Sequence, residues 1–371
     1  MSPMIGLNSR LFNMKRMVRG LLVMCVWAIV SSSTLAVEPP SEDALRAAIE
    51  RGLAPLKRAG PHWRSNTTCF SCHHQTLPMF AMLEAARAGF PLDTELIEAE
   101  ADFTRQDFQK LIPRMLSGDH IAGGSYTAGY GLWALNLANR PGDDTTAAAV
   151  TYLLKTQGVV RLKERDPRRL ARDKHDGRWM VSCRRAPLQI SELGATVLAL
   201  QGIERFAAEE LSSQVALARQ EAETYLATAP LETSEDRMWR LWGLRYLDGE
   251  SRAVDAARAA ILADQRADAG WGQSADRASD AYATGQSIFI LLETAQGARE
   301  PAVDRGLRYL LSTQHEDGSW LVVSHARPFQ PYFDNGDPHG VNQFISTAAS
   351  AWATAALARA LPRPCSSELP N

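Results

Sequence analysis

Two cysteines and two histidines fall within six positions at Cys69-Phe-Ser-Cys72-His73-His74. Cys-x-x-Cys-His is the spacing at which two thioethers fix a porphyrin while the adjoining imidazole gives iron an axial nitrogen. Cys69, Cys72 and His73 are therefore candidate haem c-binding residues, with His73 the metal ligand. The same atoms allow other chemistry. Cys69, Cys72, Cys183 and either His73 or His74 would complete the Cys₃His set of a structural zinc. A Cys69–Cys72 disulfide, or a reduced pair, is the third reading. Covalent haem attachment takes place outside the cytoplasmic membrane, so compartment bears on the choice.

The first 36 residues read as an export signal. Arg10, Lys15, Arg16 and Arg19 precede a short apolar run, Gly20 to Val30, and Thr34 and Ala36 sit at the small-residue positions of a cleavage site. The run is about half the ~20 residues of a spanning helix. Cleavage would remove Cys25 and leave Cys69, Cys72, Cys183 and Cys365, too few for a disulfide scaffold. The chain has 40 Lys and Arg against 42 Asp and Glu. Without the four basic residues of the leader the balance is 36 against 42, a net −6. An acidic chain of this kind argues against nucleic acid as partner and against electrostatic attachment to anionic lipid. A secreted, periplasmic protein with no transmembrane segment after cleavage is the expectation.

The elements that must position the motif are helices in pairs. Charged, amphipathic segments are expected at 42–58, 94–116, 143–157, 206–227, 251–265 and 300–314. Segments poorer in charge and richer in small and aromatic residues alternate with them at 76–89, 127–139, 190–204, 237–248, 279–296 and 345–361. A helix apolar on most faces must be covered on most sides. Six such helices ringed by six amphipathic ones give an all-α fold, an (α/α)6 toroid, over 37–361, followed by a tail at 362–371. An open solenoid is the alternative, but it would want distinct capping repeats.

The stretch Arg305 to Trp320, RGLRYLLSTQHEDGSW, resembles the repeat of squalene–hopene cyclases and related prenyltransferases through Arg305, Gly306, Tyr309, Leu310, Gln314, Gly318 and Trp320. Weaker copies lie at 260–271 and at 151–157 continued by 176–179. The stretches 279–287 and 328–340 are similar to secreted bacterial proteins of this repeat class that carry CxxCHH. The resemblance implies the terpenoid-cyclase-like toroid, with Gln and Trp tying an outer helix to the next inner one through a Gly turn. It does not bring the chemistry with it. The DxDD acid of the cyclases is missing, no DDxxD is present to hold magnesium and diphosphate, and Val181 stands where protein prenyltransferases place the zinc-binding Asp beside Cys183. Asp143-Asp144 reads as a helix N-cap. Asp173, Asp176, Asp334 and Asp337 read as loop carboxylates.

On this topology every outer-to-inner connection lies at one end of the toroid: 59–76, 117–127, 158–189, 228–236, 266–278 and 315–344. All eight histidines fall in these connections, including His62, His120, His175, His315 and His325. His339 is the first choice for a sixth iron ligand, His74 points elsewhere than His73, and Met79 is a core residue. The connections 158–189 and 315–344 are long enough to act as lids that bring His339 or His175 towards His73. Cys183 and Cys365 belong to opposite ends, so no bridge between them is expected. Glu192, Asp280, Gln286, Gln343 and Ser346 are polar groups at the mouths of inner helices and form a possible cavity. Tyr126, Trp179, Trp239, Trp271, Trp320 and Tyr332 are candidate lining. The functional expectation is a mono-haem protein that transfers electrons to a redox partner protein or binds a small apolar ligand. An isoprenoid-modifying enzyme and a non-catalytic toroid with zinc are the alternatives.

Overall fold

The structure is a computed structural model that describes residues 38–161, 170–172, 177–183, 185–327 and 332–363. The leader, His175, Asp173, Asp176 and Cys365 lie outside the described residues.

Twelve α-helices alternate between two layers among the described residues. The outer helices are α1 (Glu42–Asn66), α3 (Thr94–Ser117), α5 (Asp144–Thr156), α7 (Ser212–Thr228), α9 (Ser251–Ala263) and α11 (Pro301–Thr313). The inner ones are α2 (Leu77–Arg87), α4 (Gly124–Leu137), α6 (Glu192–Phe206), α8 (Ser234–Tyr246), α10 (Ala281–Glu293) and α12 (Gln343–Arg359). Two short antiparallel hairpins, β1 (Val159–Arg161) with β2 (Leu170–Arg172) and β3 (Trp271–Gly272) with β4 (Ser279–Asp280), are the strands described. None of the described helices is long and apolar enough to cross a membrane.

Composition explains the layering. On α12 the residues from Ile345 to Ala358 are all buried, most of them Ala, Ser and Thr. Small residues let neighbouring inner helices approach closely. A Cβ on Gly285 of α10 would stand 2.7 Å from the Ala353 nitrogen of α12, so only glycine fits there. Outer helices bury one stripe. On α1 that stripe is Leu45, Ala48, Ile49, Gly52, Leu53, Leu56, Ala59, Gly60 and Trp63. Because the stripe continues, α1 holds Pro55 within it and runs eight residues past the expected end, through Pro61. Burial of Trp63 outweighs the hydrogen bond each proline removes. His62 is thus on a helix body and not in a connection.

Three repeats share one set of bonds. The indole Nε1 of Trp179, Trp271 and Trp320 donates to the carbonyl of Leu153, Ile261 and Leu310 on the preceding outer helix, at 2.8, 2.7 and 2.9 Å. Their backbone N–H groups donate to Thr196, Thr284 and Ser350 of the following inner helix. The glutamine of each repeat crosses to another outer helix: Gln157 to Ala218 on α7, Gln265 to Ala302 on α11 and Gln314 to Ala48 on α1. The last contact, 2.8 Å long, joins the final repeat to the first. Packing of α1 against both α11 and α12 completes the ring, so the chain is a closed toroid and not an open solenoid.

Candidate functional site

The CxxCHH stretch follows α1 and is held from three sides. Trp63 Nε1 donates to the Cys69 carbonyl at 2.6 Å. From α3, Asp107 accepts from the Phe70 N–H and Lys110 donates to the Thr68 carbonyl. Residues Cys72–Thr76 then form one π-helical turn that leads into α2. Such wide turns carry one extra residue and recur at functional sites. Gln75 fixes this one: its Oε1 accepts from Ser71 N and its Nε2 donates to Glu100, which also pairs with Arg64. His74 is fully buried, stacks on Trp63 at 4.6 Å, and bonds Ser71 through Nδ1 and Asn335 through Nε2. His73 points another way. Its Nδ1 lies 3.3 Å from Cys72 Sγ, and its ring meets the edges of Trp63 and Phe344.

His73 forms part of the wall of a cavity at the mouth of the toroid. Leu188, Pro187, Ile345, Phe344, Val341 and Tyr332 supply apolar surface, and Arg185 and Arg327 bring guanidinium groups. The space between the walls is about 850 Å³ when the part open to solvent is counted. Burial, with Arg185 nearby, pushes the His73 imidazole down to about 3, so it is neutral across the ordinary pH range. Burial pushes the Cys72 thiol up to about 12. Cys69 is exposed and Cys72 buried, and both are free thiols.

Of the motif residues, His73 is in the wall of this apolar cavity, with Arg185 and Arg327 also lining it, while Cys69 and Cys72 are not part of the wall. Among the described residues no group of three or more His, Cys, Asp and Glu side chains is placed to hold a metal ion. Cys183 instead contacts Ser182.

Behind the cavity lies a buried acid that the sequence reading missed. Glu235, 1% exposed, stands on the first turn of α8. Trp239 Nε1 donates to its Oε1 at 3.2 Å, and the Tyr282 hydroxyl lies 3.2 Å from its Oε2. The Tyr126 hydroxyl is 3.3 Å from Oε1 and also bonds the carbonyl of Leu188, a cavity-wall residue. A phenol has one proton, and a carbonyl can only accept. With Tyr126 donating to Leu188, its contact with Glu235 needs a proton on the carboxyl group. Burial pushes Glu235 up to about 8, in agreement with that count. An ionised Glu235 would add to the upward push on the Cys72 thiol.

The other expected site residues are dispersed. His339 Nε2 is 2.8 Å from Ser319 Oγ and its ring packs on His315; it is not part of the wall that His73 faces. The loop carrying it does reach the mouth. Tyr332, Val341 and Phe344 line the cavity, and Asn335 joins His74. Glu192 pairs with Arg178, and Asp280 caps α10 and accepts from Gln273. Gln343 holds the backbone of Phe333 and Asn335, and Ser346 accepts from Val322 N. None of Glu192, Asp280, Gln286 and Gln343 lines the mouth cavity. Trp179, Trp271 and Trp320 are engaged in the repeat bonds, while Tyr126 and Trp239 surround Glu235. Met79 is fully buried in the core.

No family model matches the chain. Over 114 residues it is 29% identical to a drimenyl diphosphate synthase from Streptomyces showdoensis, a match covering 31% of this chain and 20% of that one. The chain thus spans about a fifth of that relative's length in the match. A variant of the type II terpene cyclase MstE from Scytonema, in complex with its substrate geranylgeranyl dihydroxybenzoate, has the same fold. Its TM-score is 0.53 at 15% identity, over 85% of this chain and 98% of that one. A glycosidase variant matches with TM-score 0.52 at 14% identity, over 86% and 98%. At such identities the likeness speaks for the terpene-cyclase-like toroid and for nothing finer.

Proposed function

We propose that this chain binds an apolar, isoprenoid-like small molecule at the mouth of its toroid and acts on it there. The cavity beside His73, with its walls of Leu188, Val341, Phe344 and Ile345, carries the reading. Sites for small molecules are apolar and concave, with few polar groups. The likeness to a cyclase that takes a geranylgeranyl-bearing substrate supports it. The chain lacks the DxDD acid, so the reading does not extend to alkene protonation by that motif. The test is calorimetric titration of the purified protein with farnesol and geranylgeraniol. Saturable binding is expected, and Ile345→Trp, which fills the cavity, should weaken it roughly tenfold or more. Absence of binding to the wild type, or equal binding to the variant, would overturn the reading.

A second reading is favoured by the motif together with the direction of His73. Cys69 and Cys72 would hold a haem covalently and His73 would ligate it, with electron transfer as the chemistry the group supplies and a redox protein as partner. This reading requires export, and with it the signal reading of 1–36. It predicts iron and a haem absorption spectrum in protein recovered from the periplasm.

A further inference from the structure

Residues are ordered by depth along the inner helices. On α10, Asp280 caps the mouth end, Tyr282 follows, then Gln286, then Phe289. Phe289 belongs to an aromatic block with Phe80, Trp242 and Trp352 that fills the far end. Gln286 therefore lies about 7.5 Å below the helix start, between cavity and block. It is 1% exposed, and neither its amide oxygen nor its amide nitrogen has a hydrogen-bond partner among the described residues. It is one turn from Tyr282 and on the same face of α10. It stands within reach of the Tyr282 hydroxyl.

A buried amide with both atoms unpaired is costly, and a hydrocarbon side chain of similar size would avoid the cost. Most buried polar groups in this core are paired: Thr196, Thr284 and Ser350 each accept a tryptophan N–H. Gln286 is an exception, and its neighbour Tyr282 contacts the buried acid Glu235. Contacts run from the cavity wall inward: Leu188 to Tyr126, Tyr126 to Glu235, Glu235 to Tyr282.

We infer that Gln286, with Tyr282 and Glu235, is a recognition point for one hydroxyl or carbonyl oxygen of an apolar ligand that enters from the mouth. An amide offers both a donor and an acceptor, as a hydroxyl does, so the two match. The aromatic block beneath would stop the ligand at that depth. The inference rests on the proposed apolar-ligand function and adds the polar group by which the ligand is oriented.

The experiment compares farnesol with the hydrocarbon of the same chain that lacks the oxygen, by calorimetric titration. The wild type is expected to prefer the alcohol by about threefold to tenfold, the net worth of one hydrogen bond. Gln286→Met should bind the hydrocarbon as the wild type does and lose the preference. If Gln286→Met does not fold, Tyr282→Phe, which removes one hydroxyl and keeps the shape, should reduce the preference. A wild type that binds both probes equally, or a Gln286→Met protein that keeps the preference, overturns the inference and leaves apolar binding standing. A wild type that binds neither probe overturns both.

Discussion

At the scale of single residues, Glu235 and His73 are shifted in opposite directions by the same cause. Burial disfavours the charged form, which raises an acid and lowers a base. Between pH 4.5 and about 8 the folded protein keeps a proton on Glu235 that the unfolded chain has released, so this residue's contribution to stability is lost as pH rises. His73 works the other way between about 3 and 6.5, where the unfolded chain binds the extra proton. Asp337, pushed up to about 7 by burial, adds to the Glu235 trend in the lower part of its window. Above pH 6.5 the histidine effect has ended, and stability should fall towards pH 8 at roughly 1 kcal/mol per pH unit. Glu235→Gln should flatten that fall in denaturant titrations taken at several pH values; an unchanged slope would assign the loss to other groups. At the motif, the haem reading expects Cys72→Ser to abolish covalent haem while circular dichroism stays close to wild type, since the core comes from eleven helices besides α2. Unchanged covalent haem would sink the haem reading, and global unfolding would mark the stretch as a structural staple.

At the scale of elements, the turn between outer and inner helix is the repeated device. In the last repeat Gly318 has φ +87, and an added Cβ would stand 2.0 Å from the Arg51 carbonyl oxygen. A side chain there meets both backbone strain and a neighbour that cannot yield. Gly318→Ala should therefore cost more than about 1 kcal/mol in urea denaturation. Gln314 makes three contacts from one side chain, with Ala48 O, Gly318 O and Arg51. Gln314→Ala leaves two carbonyls without that partner and should cost about 1–3 kcal/mol. A value near zero would show that α1 and α11 hold together by apolar packing alone. The contrast between helix layers was legible as charge pattern. The extension of α1 beyond Pro61 was not, because proline is a local stop signal and the buried stripe that overrides it needs a partner surface.

At the scale of the whole molecule, closure of the ring gives one face on which the connections gather. That face holds the CxxCHH turn, the 332–344 segment and the cavity between them. Below it, Phe80, Trp242, Phe289 and Trp352 pack against one another in the interior. A conservative reduction of the wall, Phe344→Ala, should enlarge the cavity beside His73 and shift selectivity towards bulkier apolar probes in competition binding. Unaltered selectivity would mean that this wall does not set ligand size.

The sequence alone determined the alternation of polar and buried helices, the toroid, the Gln–Trp turns and the CxxCHH motif. These depend on residue periodicity and short spacing, and both are written along the chain. Tertiary structure alone decided where long-range partners lie. His339 is expected as a ligand from its place in a loop, and the fold sets its ring against Ser319 and His315 of the same loop. Glu235 looked like an ordinary acid in the first turn of a helix, beside the capping pair Thr233 and Asp236. Burial pushes its carboxyl group up to about 8, and its partners Tyr126 and Tyr282 come from helices about 110 and 50 residues away. No local pattern records such a meeting, since burial is a property of the closed ring and not of any one segment.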